Sequence, residues 1–308
     1  MEFYLGIDGG GTKTKVTVID QQQNVIFVGE SGPSSIDTVT NQETFFAIQK
    51  ALKPFYEKHL DPIFTSVFAG IGGIVFDNDS KQVEKLLKDL KGVTNQTTVI
   101  AKNDMENALY SGNCFNGGMT LICGTGMVAF GKDSTGNEHK CGGWSYKEGD
   151  AGSGYALGFD AIHYVIRAFD GRYEIDDFAK EIAKQISMTK PTDIMDVMDR
   201  YYDQRTKIAQ LAPIVTKYAN LNNPYAKHIV DHATNELSLA VKGVYEHLKL
   251  KNKTLVVVGS LGNAQGYFKD QLHQKIKTID QSIQIISPTI DPSLAAAMMA
   301  YHQIQKKG

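Results

Sequence analysis

The stretch GIDGGGTKT, at residues 6–14, places three consecutive glycines between two segments that resemble β-strands. Residues 3–7 are mainly apolar and residues 15–20 alternate between polar and apolar side chains, which predicts a strand, a tight turn and a second strand. Glycine lets the backbone of such a turn approach a ligand closely, and its N–H groups can converge on an anion. Phosphate is the anion that fits best, although a simple hairpin would need the same glycines.

The same pattern returns after residue 118. An apolar segment at 119–123 leads into a second glycine turn, Gly124-Thr125-Gly126, and a further strand-like segment follows at 127–131. Alternating helix and strand patterns follow each copy, which is typical of an α/β protein with mixed sheets. A duplicated unit predicts two similar lobes that face each other across a cleft. We therefore expect domains at 1–117 and 118–308, with the last helix as a candidate to pack back on the first domain.

Composition excludes several classes of protein. The chain has 308 residues and a formal net charge of −2, which offers no broad positive field for nucleic acid. No segment approaches the roughly 20 apolar residues of a membrane-spanning helix, and the first residues do not resemble a signal peptide. The three cysteines form no CxxC pair, which favours buried thiols in a reducing compartment. These features predict a cytoplasmic protein without a membrane or nucleic-acid partner.

Side chains near the two glycine turns suit phosphate chemistry. In the first turn, Thr12 and Thr14 supply hydroxyls, Lys13 or Lys15 supplies positive charge, and Asp8 could hold Mg²⁺ through water. Two equivalent turns favour a nucleotide, because its β- and γ-phosphates need donors from two sides. Neither turn leads into a helix as a dinucleotide-binding motif would, and residues 126–133, which read GxxxxGKD, lack the serine or threonine of a P-loop.

With these motifs assembled, the sequence resembles the N-acetylglucosamine kinase branch of the actin, hsp70 and hexokinase superfamily, which is grouped with the BadF/BadG/BcrA/BcrD ATPases. The matching stretches span nearly the whole chain, and the most family-specific are CGGW at 141–144 and GDAGSG at 149–154. The resemblance implies two ribonuclease H-like domains, each a mixed five-stranded sheet flanked by helices. It also implies ATP and Mg²⁺ as cofactors and a homodimer. The residues that match the family's ATP-binding loops are Gly10, Gly11, Thr12, Lys13, Gly124, Thr125, Gly126, Gly259, Ser260 and Asn263.

The resemblance assigns the catalytic base to Asp104, which follows the strand-like segment 97–101. Such a carboxylate would accept the proton of the sugar 6-hydroxyl while the γ-phosphoryl group transfers in line. The pair Asn103-Asp104 could instead simply cap the helix that starts near Met105.

The sugar site implied by the resemblance combines an aromatic ring with carboxylates, which suit the apolar face and the hydroxyls of a sugar. Ile36 lies where mammalian N-acetylglucosamine kinases carry a substrate-binding asparagine, and isoleucine cannot make those hydrogen bonds. Glucosamine, N-acetylmannosamine and N-acetylmuramic acid therefore stay open beside N-acetylglucosamine. The candidate substrate-binding residues are Asp104, Gly143, Trp144 and Asp150, which match the family, together with Ile36 at the departing position and Ser35 and Asp37, either of which could compensate for it.

Two other functions share this pattern. One is an ATPase that activates a partner enzyme through a shared iron–sulfur cluster, although Cys123 and Cys141 adjoin a phosphate turn and a sugar-type loop. The other is a non-catalytic sugar sensor, against which Asp104 and both glycine turns argue. The sequence favours the amino-sugar kinase, an enzyme acting on a small molecule.

Overall fold

Each glycine turn follows the central strand of a five-stranded sheet in the computed structural model, which describes residues 2–145, 147–148, 150–201 and 203–305. The chain divides into two compact units. Unit 1 comprises Met1–Phe115 and Pro288–Gly308, and unit 2 comprises Asn116–Ser287.

The sheet of unit 1 has the strand order β3-β2-β1-β4-β5. Antiparallel pairing joins β1, β2 and β3, and parallel pairing joins β1, β4 and β5. The central strand β1 is buried along nearly its whole length because apolar side chains cover both of its faces. Its strands are β1 (Phe3–Gly9), β2 (Thr14–Asp20), β3 (Val25–Ser31), β4 (Phe64–Ile71) and β5 (Thr98–Lys102), and its first three helices are α1 (Asn41–Lys58), α2 (Asp77–Leu87) and α3 (Asp104–Tyr110).

The sheet of unit 2 has the order β10-β9-β6-β7-β8 and the same mixture of pairings. Each strand of unit 1 therefore has a counterpart in unit 2, β1 with β6 and β4 with β9, which is the duplication expected from the glycine turns. The strands are β6 (Gly118–Cys123), β7 (Met127–Lys132), β8 (Glu138–Cys141), β9 (Thr254–Val258) and β10 (Gln284–Ile286).

Helices account for most of the remainder of unit 2. Residues 205–220 form two helices with a short break, and Pro213 lies in the first turn of the second, where its missing N–H costs no helical hydrogen bond. The helices are α4 (Gly154–Phe169), α5 (Asp177–Gln185), α6 (Ile194–Tyr201), α7 (Arg205–Ala209), α8 (Ala212–Asn220), α9 (Pro224–His247) and α10 (Tyr267–Ile279).

The last helix, α11 (Pro292–Gln305), belongs to unit 1 and packs on its sheet. Small side chains, Ala296 and Ala297 among them, let it approach β1 so closely that a Cβ added to Gly6 would lie 2.1 Å from the backbone nitrogen of Ala297. Thr17 and Ser293 also share a buried hydrogen bond of 2.7 Å. The segment from Pro288 onward therefore belongs to unit 1, although it follows unit 2 in the sequence.

None of the helices in the described ranges is both long and apolar enough to cross a membrane.

Candidate active site

The first glycine turn lies beside the predicted sugar loop in unit 1. The turn closes through a hydrogen bond from Gly10 N to the carbonyl of Lys13 at 2.9 Å, and residues 11–13 are exposed. The carbonyl of Gly10 accepts hydrogen bonds from the backbone nitrogens of Ser34 (3.1 Å) and Ser35 (3.2 Å). The predicted phosphate residues Gly10, Gly11, Thr12 and Lys13 are thus brought next to residues 34 and 35.

Thr14 is buried, whereas Thr12 is exposed. Its buried hydroxyl donates to the carbonyl of Gly32 at 2.6 Å and contacts Ser34 Oγ at 2.7 Å. Lys15 likewise forms an ion pair of 2.6 Å with Asp291. The hydroxyl of Thr14 and the ammonium of Lys15 therefore hold the fold together, and Thr12 and Lys13 are the exposed side chains of the turn.

Asp104 is the first residue of α3, and Asn103 caps the helix. The Asn103 side chain accepts from Met105 N at 3.0 Å and donates to the carbonyl of Ile74 at 2.8 Å. Burial raises the pKa of the Asp104 carboxyl to about 7, and the nearby charges of Asp8 and Asp37 act in the same direction. Capping thus belongs to Asn103, and Asp104 carries the elevated pKa expected of a general base near neutrality.

Asp8 lies near the end of β1 and contacts α3 through Asn107. Asn107 Nδ2 donates to Asp8 Oδ1 at 2.8 Å and to the carbonyl of Ile7 at 3.0 Å. Burial raises the pKa of Asp8 more than this hydrogen bond lowers it. Gly70 is required beneath Asn107, since an added Cβ would lie 2.3 Å from the amide.

The carboxylate of Asp8 fits the role of the protein ligand to a hydrated magnesium ion. Within the described ranges, no three His, Cys, Asp or Glu side chains converge as a metal site of their own. Mg²⁺ usually keeps several waters and takes only one or two carboxylates together with substrate phosphates. A carboxylate beside an exposed phosphate-type turn is what such an ion needs.

The predicted sugar loop is packed against Gly72 and Gly73, which sequence analysis did not single out. Ile36 N donates to the carbonyl of Gly72 at 3.0 Å, and the Ser35 hydroxyl donates to the carboxylate of Asp37. A Cβ on Gly72 would lie 2.4 Å from Ser35 Oγ and 3.5 Å from Asp104 Oδ2. The Ile36 side chain packs partly against the apolar core of unit 1, and Ser35 is buried, so Asp37 is the exposed polar side chain of these three residues. The signal for these glycines was the repeated glycine of GIGG at 70–73.

The second glycine turn is built by three elements of unit 2. The backbone nitrogens of Gly154 and Tyr155, at the start of α4, donate to the carbonyls of Gly124 (2.7 Å) and Thr125 (3.1 Å). Gly259 follows β9 with a φ of 103°, and a Cβ there would lie 2.3 Å from the carbonyl of Cys123. Only glycine allows both this backbone angle and this approach.

A cavity of about 240 Å³ opens beside this turn. Ser260, a residue of the predicted adenosine loop, is among the residues that line it. Asn263 instead supports the loop from within, because its side-chain amide donates hydrogen bonds to the carbonyls of Val257 (2.9 Å) and Gly259 (3.0 Å). The lining residues are Gly124, Thr125, Gly154, Thr206, Ala209, Gln210, Ala212, Pro213, Thr216, Ser260, Leu261 and Ala264.

Trp144 is exposed on the loop that follows β8. Its ring is 64% exposed and carries the ammonium of Lys140 at 4.0 Å from the ring centroid. Lys140 also donates to the carbonyl of Gly143 at 3.1 Å, and Gly143 has a φ of 64°. An exposed indole is available to a ligand, whereas a core tryptophan would not be. Tyr146 and Gly149 of the same motif lie outside the described residues.

Asp150 is buried and forms an ion pair with Arg205, which sequence analysis did not identify. Arg205 Nη2 lies 2.5 Å from Asp150 Oδ2, and the Asp150 side chain is 2% exposed. The N-cap of α4 is Ser153, whose hydroxyl accepts from Ala156 N at 3.3 Å, so Asp150 is not the cap. No local pattern could have identified Arg205, because 55 residues separate it from Asp150.

The cysteines next to the site are unreactive in character. Burial raises the pKa of the Cys123 thiol to about 12 and also raises that of Cys141. Neither is a ready thiolate at neutral pH.

Comparison with known proteins assigns the chain to a family. The model of the BadF/BadG/BcrA/BcrD ATPase family matches residues 5–300. The chain belongs to this family. Two relatives are similar along almost their full length: an N-acetylmuramic acid/N-acetylglucosamine kinase of Clostridium acetobutylicum is 28% identical over 304 residues (97% of this chain and 98% of the relative), and an N-acetyl-D-glucosamine kinase of Dictyostelium discoideum is 29% identical over 318 residues, with the same coverage.

The fold of this BadF/BadG-type ATPase also matches a solved structure. A protein from Chromobacterium violaceum, provisionally assigned as an N-acetylglucosamine kinase, superposes with a TM-score of 0.78 at 19% identity and covers 97% of this chain and 98% of its own. The predicted family and the predicted α/β fold with two mixed five-stranded sheets are both confirmed.

Proposed function

We propose that this BadF/BadG-type ATPase is an amino-sugar kinase that transfers the γ-phosphoryl group of ATP to the 6-hydroxyl of N-acetylglucosamine. The observation that carries the proposal is the carboxylate of Asp104, which lies at the start of α3 and takes no part in capping that helix. It lies beside the predicted phosphate turn and the predicted sugar loop of unit 1, and its pKa is raised to about 7. The two relatives from Clostridium acetobutylicum and Dictyostelium discoideum act on N-acetylglucosamine by their names, and the first also acts on N-acetylmuramic acid.

In this proposal each unit contributes one phosphate-binding turn. The exposed turn Gly10, Gly11, Thr12 and Lys13 binds the phosphates of ATP in unit 1, as does Gly124-Thr125-Gly126 in unit 2. The cavity beside Ser260 takes the adenosine, since its lining is neutral and has small apolar side chains that suit a flat base. Asn263 supports that loop through its two carbonyl contacts.

The chemistry assigned to the chain is proton removal and charge stabilisation. Asp104 accepts the proton of the sugar hydroxyl as the bond to phosphorus forms, and the ADP leaving group departs on the opposite side. Asp8 would hold Mg²⁺ through water, and the bound ion would neutralise charge on the β- and γ-phosphates. Ser35, Asp37, Gly143, Trp144 and Asp150 are the proposed sugar contacts, and Ile36 shapes the loop.

A coupled ADP-release assay with Mg²⁺ tests the proposal. The panel contains N-acetylglucosamine, glucosamine, N-acetylmannosamine, N-acetylmuramic acid and glucose, and ³¹P and ¹H NMR of the product locates the phosphate. We expect sugar-dependent ADP release that is highest with N-acetylglucosamine, and phosphate on O6. Faster turnover of another amino sugar would reassign the substrate within the same reaction.

The two rival functions give different results in the same assay. ADP release without any sugar, together with an iron–sulfur absorption band in anaerobically purified protein, would indicate an activator ATPase. Hexosamine binding without ADP release would indicate a sensor. The expected homodimer and cytoplasmic location are further proposals, which light scattering and fractionation of cells would measure.

A further inference from the structure

The ion pair between Asp150 and Arg205 lies against the second glycine turn. A Cβ added to Gly126 would lie 1.9 Å from Arg205 Nη2 and 2.9 Å from Asp150 Oδ2. The absence of a side chain at residue 126 therefore makes room for the guanidinium. Asp150 is buried with a φ of 42°, a backbone angle that non-glycine residues adopt at a cost, so the fold holds this carboxylate in a fixed place.

Arg205 lies next in sequence to a residue that lines the cavity beside the second glycine turn. Thr206, the next residue of α7, lines that cavity together with Gly124 and Thr125. All the residues that line the cavity are uncharged. A nucleotide whose base occupies a neutral cavity still needs positive charge where its phosphates emerge, because phosphate oxygens are strongly hydrated anions in water.

We propose that Arg205 binds the phosphate chain of the nucleotide at the second glycine turn, and that Asp150 is the positioning residue that holds it there. A guanidinium carries five N–H donors in a planar fork, so it can keep its bond to Asp150 and contact phosphate oxygens with other donors. Arg205 side-chain exposure of 37% leaves it accessible to a ligand, whereas Asp150 is enclosed. The inference rests on the proposed use of ATP but not on the identity of the sugar.

Nucleotide binding by Arg205→Met tests this role without any sugar present. Isothermal titration with ATP, ADP and adenosine, in the presence of Mg²⁺, compares the wild type with the variant. We expect the affinity for ATP and ADP to fall about 10- to 100-fold, since a charge-assisted hydrogen bond is lost, and the affinity for adenosine to stay unchanged. Arg205→Lys keeps the positive charge but not the planar fork of donors, so its affinity for ATP and ADP should lie between those of the wild type and Arg205→Met.

Lys207→Met is the matched control, because it removes one positive charge from an exposed position of the same helix α7. Its affinity for all three ligands should equal that of the wild type. Equal ATP affinity in Arg205→Met and the wild type would overturn the inference, and so would a loss that is the same for adenosine as for ATP. A wild-type protein that binds no nucleotide would overturn it as well.

Arg205→Met leaves a buried carboxylate unpaired, which can itself destabilise the fold. The double variant Asp150→Asn/Arg205→Met removes both charges and should show the same selective loss of ATP and ADP affinity. In Asp150→Asn alone, titrated without sugar, a positioning role predicts a smaller loss of ATP and ADP affinity than in Arg205→Met and an unchanged affinity for adenosine. A protein that binds ATP selectively through Arg205 and yet phosphorylates no hexosamine would refute the kinase proposal and leave this inference standing.

Discussion

At the scale of single residues, the structure separates groups that are neighbours in the sequence. Asn103 satisfies the first turn of α3 and Asp104 does not take part in capping. Thr14 is buried in hydrogen bonds while Thr12, two residues earlier, is exposed. In both cases one residue supports the backbone, and its neighbour is available for chemistry.

Asp104→Asn should lower kcat about 100- to 10,000-fold, which is the usual contribution of a general base. Asparagine keeps the shape of the side chain and cannot accept the proton, so the KM for sugar should change little. Steady-state kinetics with the best sugar of the panel measure both parameters. Asp37→Asn is a useful comparison, because it removes a nearby carboxylate that is not the proposed base; substantial activity in Asp104→Asn would show that the base is elsewhere.

The pH dependence of kcat/KM follows from the same carboxyl. A base with a pKa of about 7 is protonated and inactive below that pH, so kcat/KM should rise through a single ionisation near pH 7. For stability the sign is opposite: the raised folded-state pKa favours the folded protein below the unfolded pKa of 3.8, and this contribution is lost as the pH rises through about 7. A kcat/KM profile that is flat from pH 5.5 to 8.5 would contradict the assignment.

Trp144 offers an optical test of the sugar contact, because it is the only tryptophan of the chain. If its exposed ring covers the sugar, Trp144→Ala should raise the KM for sugar about tenfold and leave kcat nearly unchanged. In the wild type, sugar should shift the fluorescence emission to shorter wavelength. Phe46→Ala, which removes another exposed ring, should leave the KM at the wild-type value.

At the scale of elements, close approach between α11 and β1 is the most demanding contact of unit 1. A methyl group on Gly6 would lie 2.1 Å from Ala297 N and 2.3 Å from the carbonyl oxygen of Ser293, and a backbone cannot rotate away as a side chain can. The addition of a single methyl group at Gly6 would therefore disrupt the packing of α11 on β1.

Gly6→Ala should therefore lower the free energy of unfolding by about 3 kcal/mol, at the upper end of typical overpacking costs. Urea denaturation followed by circular dichroism measures this change. Gly32→Ala is the matched control, since a Cβ there would meet no atom within 4 Å and the stability should stay close to that of the wild type. Equal stability of both variants would mean that α11 moves away from the sheet at little cost.

These elements also show how far sequence reasoning reaches. The glycine turns could be predicted because strand alternation and glycine spacing are local signals in the sequence. The repetition of the pattern also supported the prediction of each turn. Arg205 and the close packing of Gly6 on Ala297 could not, because both depend on residues brought together from distant parts of the chain.

At the scale of the whole molecule, the two units have separate apolar cores. The core of unit 2 includes residues from Met119 to Ile283 and takes none from α11, whereas the sheet of unit 1 needs α11 to cover β1. Loss of the last helix should thus affect the units unequally.

A variant that ends at Ser287 should lose the ordered structure of unit 1 and keep that of unit 2. Limited proteolysis with mass spectrometry should then detect cleavage within residues 2–115 and a resistant fragment near 116–287. The full-length protein, treated in parallel, should resist cleavage in both regions. Protection of residues 2–115 in the shortened chain would show that the sheet of unit 1 is stable without α11.

The packing of α11 on β1 has a consequence for synthesis on the ribosome. Lys15 meets its partner Asp291 only after 276 further residues have been made, so the first glycine turn emerges early but its supporting strand stays uncovered until the final helix leaves the exit tunnel. Unit 2, by contrast, closes within one continuous segment and can fold while translation continues. The glycine turn that is translated first is thus the one whose surroundings are completed last.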